Sequence, residues 1–173
     1  MSDGAPGARP LTPGHLDQAG AAARLDRQMA FLLEADRLKH VLRATTVVDG
    51  SRPENSGEHS WHLALYAMVL ADQAPEGVRI DRVMRMLILH DLVEIDAGDT
   101  PIHGDYDPIA QAAAEEAAAD RIFGLLPPDQ AAEFRALWAE FEAVQRSLKA
   151  RSPKMMPPMG RAANPTPSVA KIT

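Results

Sequence analysis

The chain contains 173 residues, with a hydrophobic fraction of 46% and a net charge of −6. This length is enough for one domain with a sizeable core, and the negative charge argues against a general nucleic-acid binder. Cysteine is absent, which excludes disulfides and thiolate metal sites and favours a reducing, cytoplasmic location. We expect no signal peptide, because the N-terminal stretch MSDGAPGARPLTPG has an acid and no apolar h-region. We expect no contact with a membrane, because no run approaches the roughly 18–20 apolar residues that a membrane span needs.

The N-terminal half of the sequence predicts a short tail and two helices. Residues 1–14 are rich in Gly, Pro and Ala, and we expect them to be disordered. Apolar residues at helical spacing then predict a first helix over about 16–42. After a polar loop, Asn55 and Glu58 have the spacing of a capping box, which predicts a second helix over about 56–72.

The C-terminal half predicts three more helices. A third helix is expected over 82–96, with Asp81 as its cap and Gly98 at its end, followed by a polar loop over 98–108. The Ala-rich stretch PIAQAAAEEAAADRIFGLL predicts a fourth helix, and two prolines separate it from a fifth that begins at Asp129. No alternating β pattern is visible, so the expected fold is all-α with about five helices.

The third helix contains an unusual combination of apolar and ionisable residues, MLILHDLVEIDAGD at 86–99. On a helix that turns about 100° per residue, His90, Asp91 and Glu94 fall within one 100° arc. A buried carboxylate costs several kcal/mol unless it is paired or bound to a metal. Imidazole and carboxylates on one face suit a divalent cation such as Mn²⁺, Co²⁺, Fe²⁺, Zn²⁺ or Mg²⁺. The second helix offers His59 and His62 as further candidates.

Each of these residues also has a structural interpretation. A single helix histidine is more often a core or surface group than a ligand, and His62 beside Trp61 can simply pack or form a hydrogen bond. Asp99 after Gly98 can be a turn residue, and Arg43 can be a solvated helix end favoured by the helix dipole.

Four segments together form a specific pattern: LKHVLR at 38–43, EHSWH at 58–62, HDLVEIDAGD at 90–99 and LWAEFEA at 137–143. This set resembles the HD-domain metal-dependent phosphohydrolases, and within them the small branch that includes bacterial and eukaryotic 5′-deoxynucleotidases. The resemblance covers about residues 25–143 and implies an HD-domain helical bundle over residues 15–143.

Carried over residue by residue, the resemblance implies three metal ligands, His59, His90 and Asp91. It places Glu94 and Asp99 beside the metal-bound water and the substrate as catalytic residues, and it assigns Arg43 to the substrate phosphate. His62 falls on a variable position and is not counted as a ligand. The resemblance also implies a small nucleotide substrate and favours a homodimer.

The composition changes abruptly near residue 143. Residues 1–143 carry a net charge of −12, whereas residues 144–173 contain six basic residues, five prolines and no acid. We expect this basic, proline-rich tail to be disordered. The family's fourth ligand is an aspartate on a later helix, and no residue fits it, because the last acid is Glu142. Without the later helices, we expect Trp138 and Phe141 in an exposed apolar patch.

A frameshifted or alternatively ended reading frame is one hypothesis for this change in composition. A normal frame that continued through a related sequence in close homologues would refute it.

Three functions remain open at this point. The first is hydrolysis of deoxyribonucleoside 5′-monophosphates to nucleoside and phosphate by a metal-activated water, with Arg43 binding the phosphate and Glu94 or Asp99 moving a proton. The second is a degenerate HD-fold protein that binds metal or nucleotide without turnover. The third is a helical interaction module whose histidines are incidental.

Overall fold

The computed structural model describes residues 18–99 and 107–151, with side chains described as far as Leu148. The helices in these ranges are α1 (Gln18–Ala35), α2 (Ser56–Val69), α3 (Ile80–Leu89), α4 (Glu94–Ala97), α5 (Pro108–Phe123) and α6 (Pro128–Arg151). The strands are β1 (Leu42–Thr46) and β2 (Pro53–Asn55), and the 3₁₀ turns are Asp36–His40, Ala71–Gln73 and His90–Val93. Five of the α-helices have ten residues or more, so the predicted all-α helical bundle is confirmed.

Parts of the sequence predictions lie outside the described residues. These are the N-terminal tail at 1–14, most of the loop at 98–108, and the tail beyond Arg151. Within the described ranges, no helix combines the length and apolar character that crossing a bilayer would require.

A small β-hairpin interrupts the helical order after α1. The predicted helix over 16–42 is too long, because α1 ends at Ala35 and the chain passes through a 3₁₀ turn into β1. Strands β1 and β2 pair antiparallel, with Leu42 opposite Asn55 and Thr46 opposite Pro53. The expectation of no strand is therefore wrong here, and the run of β-branched residues at 45–48 followed by an Asp-Gly turn explains the extended backbone.

The hydrophobic core lies between α5, α6, the end of α3 and the 3₁₀ turn His90–Val93. Its most buried large side chains are Ile122 and Phe123 on α5 and Leu137 and Trp138 on α6, each 1% exposed or less. Full burial of one such side chain contributes about 1.5–3 kcal/mol. Because Trp138 is buried, the expected exposed patch at this residue is wrong.

Helix α1 packs Phe31 into this core, and polar contacts also attach the helix to the segment between α5 and α6 and to the start of α6. The guanidinium of Arg27 donates hydrogen bonds to the carbonyl oxygens of Gly124 and Leu126, which follow the end of α5. Arg24 forms a two-pronged ion pair with Asp129 at the start of α6, with N–O distances of 2.7 and 2.8 Å. The bond from Arg27 to Gly124 satisfies a carbonyl group that the end of a helix leaves without a partner.

The predicted third helix is divided into three elements. Helix α3 ends at Leu89, the 3₁₀ turn His90–Val93 follows, and α4 is a single turn that ends before Gly98. The predicted cap at Asp81 is wrong, since the helix begins after Arg79 without a side-chain cap and Asp81 instead pairs with the guanidinium of Arg79 at 2.6 Å. Gly98 ends α4 as predicted, with a φ of +74°.

Helix α6 continues past the change in composition at residue 143. Its 24 residues extend to Arg151, although residues 144–151 were predicted to belong to a disordered tail. The segment VQRSLKAR contains several good helix formers and no proline, and a change in charge alone does not end a helix. The domain boundary itself remains a prediction.

Candidate metal centre

The start of α2 places the first candidate ligand. As predicted, Asn55 and Glu58 form a capping box: Asn55 Oδ1 accepts the N–H of Glu58 at 2.9 Å, and Glu58 Oε1 accepts the N–H of Asn55 at 2.8 Å. This reciprocal cap fixes the first turn of the helix. The turn directs His59 toward His90, and the two ring centroids are 5.8 Å apart.

The imidazole of His59 contacts a carboxylate through its Nδ1. Its Nδ1 lies 3.0 Å from Oε1 of Glu54 on strand β2. Burial lowers the pKa of His59 below its ordinary value, and the positive charge of Arg43 lowers it further. A neutral imidazole at pH 7 is the form that binds a metal.

His90 and Asp91 lie on the buried 3₁₀ turn and are 7% and 6% exposed. Nδ1 of His90 lies 2.7 Å from the carbonyl oxygen of Leu87, so it acts as a donor to that oxygen. Nε2 then has a free lone pair, and it lies 2.9 Å from Oδ1 of Asp91. Two lone-pair groups this close need a positive group between them, which is either a proton or a metal ion. On the other side, the ring of Phe141 packs against His90 with centroids 4.8 Å apart.

The donor atoms of three residues come together at one point. His59, His90 and Asp91 each offer one ligand atom, and these atoms lie within 4.8 Å of one another. Two ligands of one ion at about 2.1 Å and a right angle are separated by about 3 Å, which fits the His90–Asp91 pair. Two imidazoles and a carboxylate suit a borderline divalent cation, so the residues present fit a metal ion.

Arg43 lies on strand β1 and not at a helix end. Its guanidinium has four carboxylates within 4 Å: Asp91 at 2.8 Å, Glu94 at 3.4 Å, Asp99 at 3.6 Å and Glu54 at 3.9 Å. When these four acids are ionised, the single positive charge of Arg43 neutralises only part of their charge, and a large excess of negative charge remains. This electrostatic imbalance is the environment in which a divalent cation is stabilised.

Glu94 has the most perturbed carboxyl group of the site. Burial raises its pKa to about 7, and the negative charge of Asp91 contributes to the rise. The hydroxyl of Ser56, the first residue of α2, donates a hydrogen bond to Glu94 Oε2 at 2.5 Å, and this bond lowers the pKa of Glu94. Because Ser56 is completely buried, this hydrogen bond is shielded from water.

Asp99 closes the site from the end of α4. Gly98 adopts a positive φ, which turns the chain so that Asp99 Oδ2 accepts the backbone N–H of Ala44 at 3.1 Å. This bond joins the loop after α4 to strand β1. All six residues predicted for the site are therefore brought together. His62 instead contacts the rings of Trp61 and Tyr66, with centroid distances of 5.8 and 4.7 Å.

Sequence reasoning missed the residues that support the site, namely Thr45, Glu54 and Ser56. The sequence analysis assigned no role in the site to any of the three. Their partners are distant in sequence or depend on the hairpin, so no local spacing marks them. In the described part of the chain, the ligand group contains three residues, and no fourth ligand joins it.

The family follows from this fold and site together with direct comparison. A family model described as the HD domain matches residues 35–160. The chain belongs to the HD-domain family, as the motifs predicted.

Individual relatives and a solved structure are similar to part of this chain. The human 5′-deoxynucleotidase HDDC2 is 32% identical over 129 residues, which are 74% of this chain and 61% of that protein. Its mouse counterpart is 32% identical over 142 residues, covering 82% and 68% of the two chains. The crystal structure of a predicted metal-dependent phosphohydrolase from Magnetospirillum magnetotacticum MS-1 is 56% identical, with a TM-score of 0.66 over 70% of this chain and 61% of that chain. The chain thus spans about three fifths of the length of the human relative and of this solved structure.

Proposed function

We propose that the protein is a divalent-metal-dependent phosphohydrolase that releases phosphate from deoxyribonucleoside 5′-monophosphates. One observation carries this proposal: the carboxylate of Asp91 lies between the Nε2 of His90 at 2.9 Å and the guanidinium of Arg43 at 2.8 Å. A metal site and a phosphate-binding cation are thereby adjacent. The substrate class comes from the names of the relatives, which are 5′-deoxynucleotidases.

In this proposal His59, His90 and Asp91 hold the ion. A bound divalent cation supplies a water of lowered pKa and neutralises charge on the phosphoryl oxygens. The candidate ions are Co²⁺, Mn²⁺, Mg²⁺, Fe²⁺ and Zn²⁺.

Arg43 binds the phosphate in this arrangement. Its Nε–H is buried and has no hydrogen-bond acceptor within the described ranges. A buried donor without a partner is costly, and a phosphate oxygen would satisfy it. The planar guanidinium could then hold the phosphate through Nε while Nη1 stays on Asp91.

Glu94 and Asp99 are proposed to handle the proton and the attacking water. A carboxyl group whose pKa is about 7 can both accept and release a proton near neutral pH. Its Oε2 is occupied by Ser56, which leaves Oε1 facing Arg43. Asp99 also faces Arg43, so both groups lie where a bound phosphate and its water would be.

A second candidate is an HD-fold protein that binds metal or nucleotide without turnover. It is favoured by the ligand group of three residues in the described part of the chain. Three protein ligands can nevertheless hold a catalytic metal, so hydrolysis remains the primary proposal.

The test is phosphate release from dAMP, dCMP, dGMP and dTMP by the purified 173-residue chain with Co²⁺, Mn²⁺ or Mg²⁺. His90→Ala serves as the control for a contaminating phosphatase. We expect metal-dependent release that the variant loses. Folded protein that binds Co²⁺ but releases no phosphate would reject hydrolysis and favour the second candidate.

A further inference from the structure

Glu54 lies on the β-hairpin beside the candidate ligand His59. It is the central residue of strand β2, and its side chain is 17% exposed. A single oxygen, Oε1, takes part in two hydrogen bonds, with Nδ1 of His59 at 3.0 Å and with the hydroxyl of Thr45 at 2.9 Å, and Nε of Arg43 lies 3.9 Å from the same oxygen. The two strands of the hairpin thus meet the candidate ligand at one atom.

The hydrogen-bonding capacities of the three groups leave one arrangement of protons. An ionised carboxylate only accepts hydrogen bonds, so Thr45 donates its hydroxyl hydrogen and His59 donates from Nδ1. The opposite tautomer of His59 would place two lone pairs 3.0 Å apart. With the proton on Nδ1, the lone pair of Nε2 is available on the side of His90 and Asp91.

His90 provides an internal comparison. Its Nδ1 is also held by an acceptor, but that acceptor is the neutral carbonyl oxygen of Leu87. His59 has a charged partner, and a carboxylate behind a metal-binding imidazole both fixes the ring and raises its basicity. The two histidines therefore share a tautomer and differ in the charge behind the ring.

We propose that Glu54 is a positioning residue that holds His59 in its metal-binding tautomer, with Thr45 fixing the Glu54 carboxylate. In this arrangement the hairpin β1–β2 sets the metal affinity of the site without supplying a ligand. The inference rests on the metal site of the proposed function and is independent of whether phosphate is hydrolysed.

Metal affinity measured by isothermal titration of Co²⁺ into metal-free protein tests this role. We expect Glu54→Ala to weaken Co²⁺ binding about 10–100-fold, as is typical for the partner behind a ligand. Glu54→Gln keeps an acceptor oxygen without the charge and should restore part of the loss. Thr45→Val should cause a smaller loss, below about tenfold. The matched control is Glu133→Ala, which breaks the exposed ion pair between Glu133 on α6 and Arg85 on α3. This variant should bind Co²⁺ as the parent does.

A second readout reports the tautomer directly and requires no metal. In ¹⁵N spectra of the metal-free parent, we expect the proton of His59 on Nδ1, and in Glu54→Ala we expect the Nε2–H form to appear. A mere loss of packing would not shift this equilibrium selectively at His59 while leaving His90 unchanged.

Three results would overturn the inference: a parent His59 protonated at Nε2, a Glu54→Ala protein with a Co²⁺ affinity within about threefold of Glu133→Ala, or a parent that binds no Co²⁺. If Glu54→Ala does not fold, the parent tautomer and the Glu54→Gln affinity decide the question. The expected affinities and tautomer in a parent that releases no phosphate would support Glu54 while rejecting the proposed hydrolysis.

Discussion

Replacing Ser56 with alanine should destabilise the protein in a pH-dependent way. Ser56 is completely buried, and its hydroxyl donates to Glu94 Oε2 at 2.5 Å. A hydrogen bond to a charged group contributes about 1.5–3 kcal/mol, whereas one between neutral groups contributes about 0.5–1.5 kcal/mol. The cost of Ser56→Ala therefore depends on whether Glu94 is ionised.

Burial and the charge of Asp91 raise the pKa of Glu94 from 4.5 to about 7 in the folded protein. The folded state thus holds this proton more tightly than the unfolded state does. The contribution of Glu94 to stability is fully present below pH 4.5 and is lost as the pH rises through 7. Arg43 and Asp99 also face the carboxyl group, the first lowering and the second raising its pKa. At pH 8.5 Glu94 is ionised, and its carboxylate relies on the hydroxyl donor of Ser56. At pH 5.5 Glu94 is protonated and does not rely on that donor.

Urea unfolding of metal-free protein in EDTA, followed by far-UV circular dichroism at pH 5.5 and 8.5, measures the difference. We expect Ser56→Ala to lower the free energy of unfolding by about 1.5–3 kcal/mol at pH 8.5 and by at most half as much at pH 5.5. Ser60→Ala is the matched control, because Ser60 is also buried on α2 but its Oγ has no hydrogen-bond partner within the described residues. Equal losses at both pH values would refute the reasoning.

Three further predictions concern the hydrophobic core, the glycine that follows α4 and the binding of a metal ion. Trp138→Ala should lower the free energy of unfolding by about 3–5 kcal/mol in urea titrations, because the indole is 1% exposed; a loss below about 1 kcal/mol would contradict this packing. Gly98→Ala should cost about 1–3 kcal/mol and lower the melting temperature, because a φ of +74° with a ψ of 160° is nearly confined to glycine; an unchanged melting temperature would speak against that backbone. Co²⁺ at 100 times its Kd should stabilise the protein by about 2.7 kcal/mol in thermal-shift assays, and neither the protein in an excess of EDTA over Co²⁺ nor His90→Ala should show this gain.

The parts of the fold that the sequence predicted depend on signals between close neighbours. The capping box at Asn55 and Glu58 and the end of α4 at Gly98 involve residues within one turn of each other. Each can be recognised from side-chain chemistry alone. For the same reason, the prolines at 127–128 correctly marked the break between α5 and α6.

The parts that were missed depend on tertiary contacts. A periodic pattern does not distinguish an α-helix from a tighter 3₁₀ turn, and the turn His90–Val93 is buried on every residue. The candidate site residues were predicted from motifs, but the contact between Arg43 and Asp91 spans 48 positions and cannot be read from local spacing. Glu54, Ser56 and Thr45 carry no motif of their own and become visible only through their partners.

Two continuous segments, residues 43–59 and 90–99, form the site, and one of the contacts between them is the hydrogen bond that the backbone N–H of Ala44 donates to Asp99. Any opening of the hairpin away from the loop after α4 must break this bond and expose that amide to solvent. Its hydrogen-exchange rate therefore reports how often the two halves of the site separate. A ligand that contacts both segments would slow hydrogen exchange at the amide of Ala44. The exchange rate of this single amide can therefore report whether the two segments are held together.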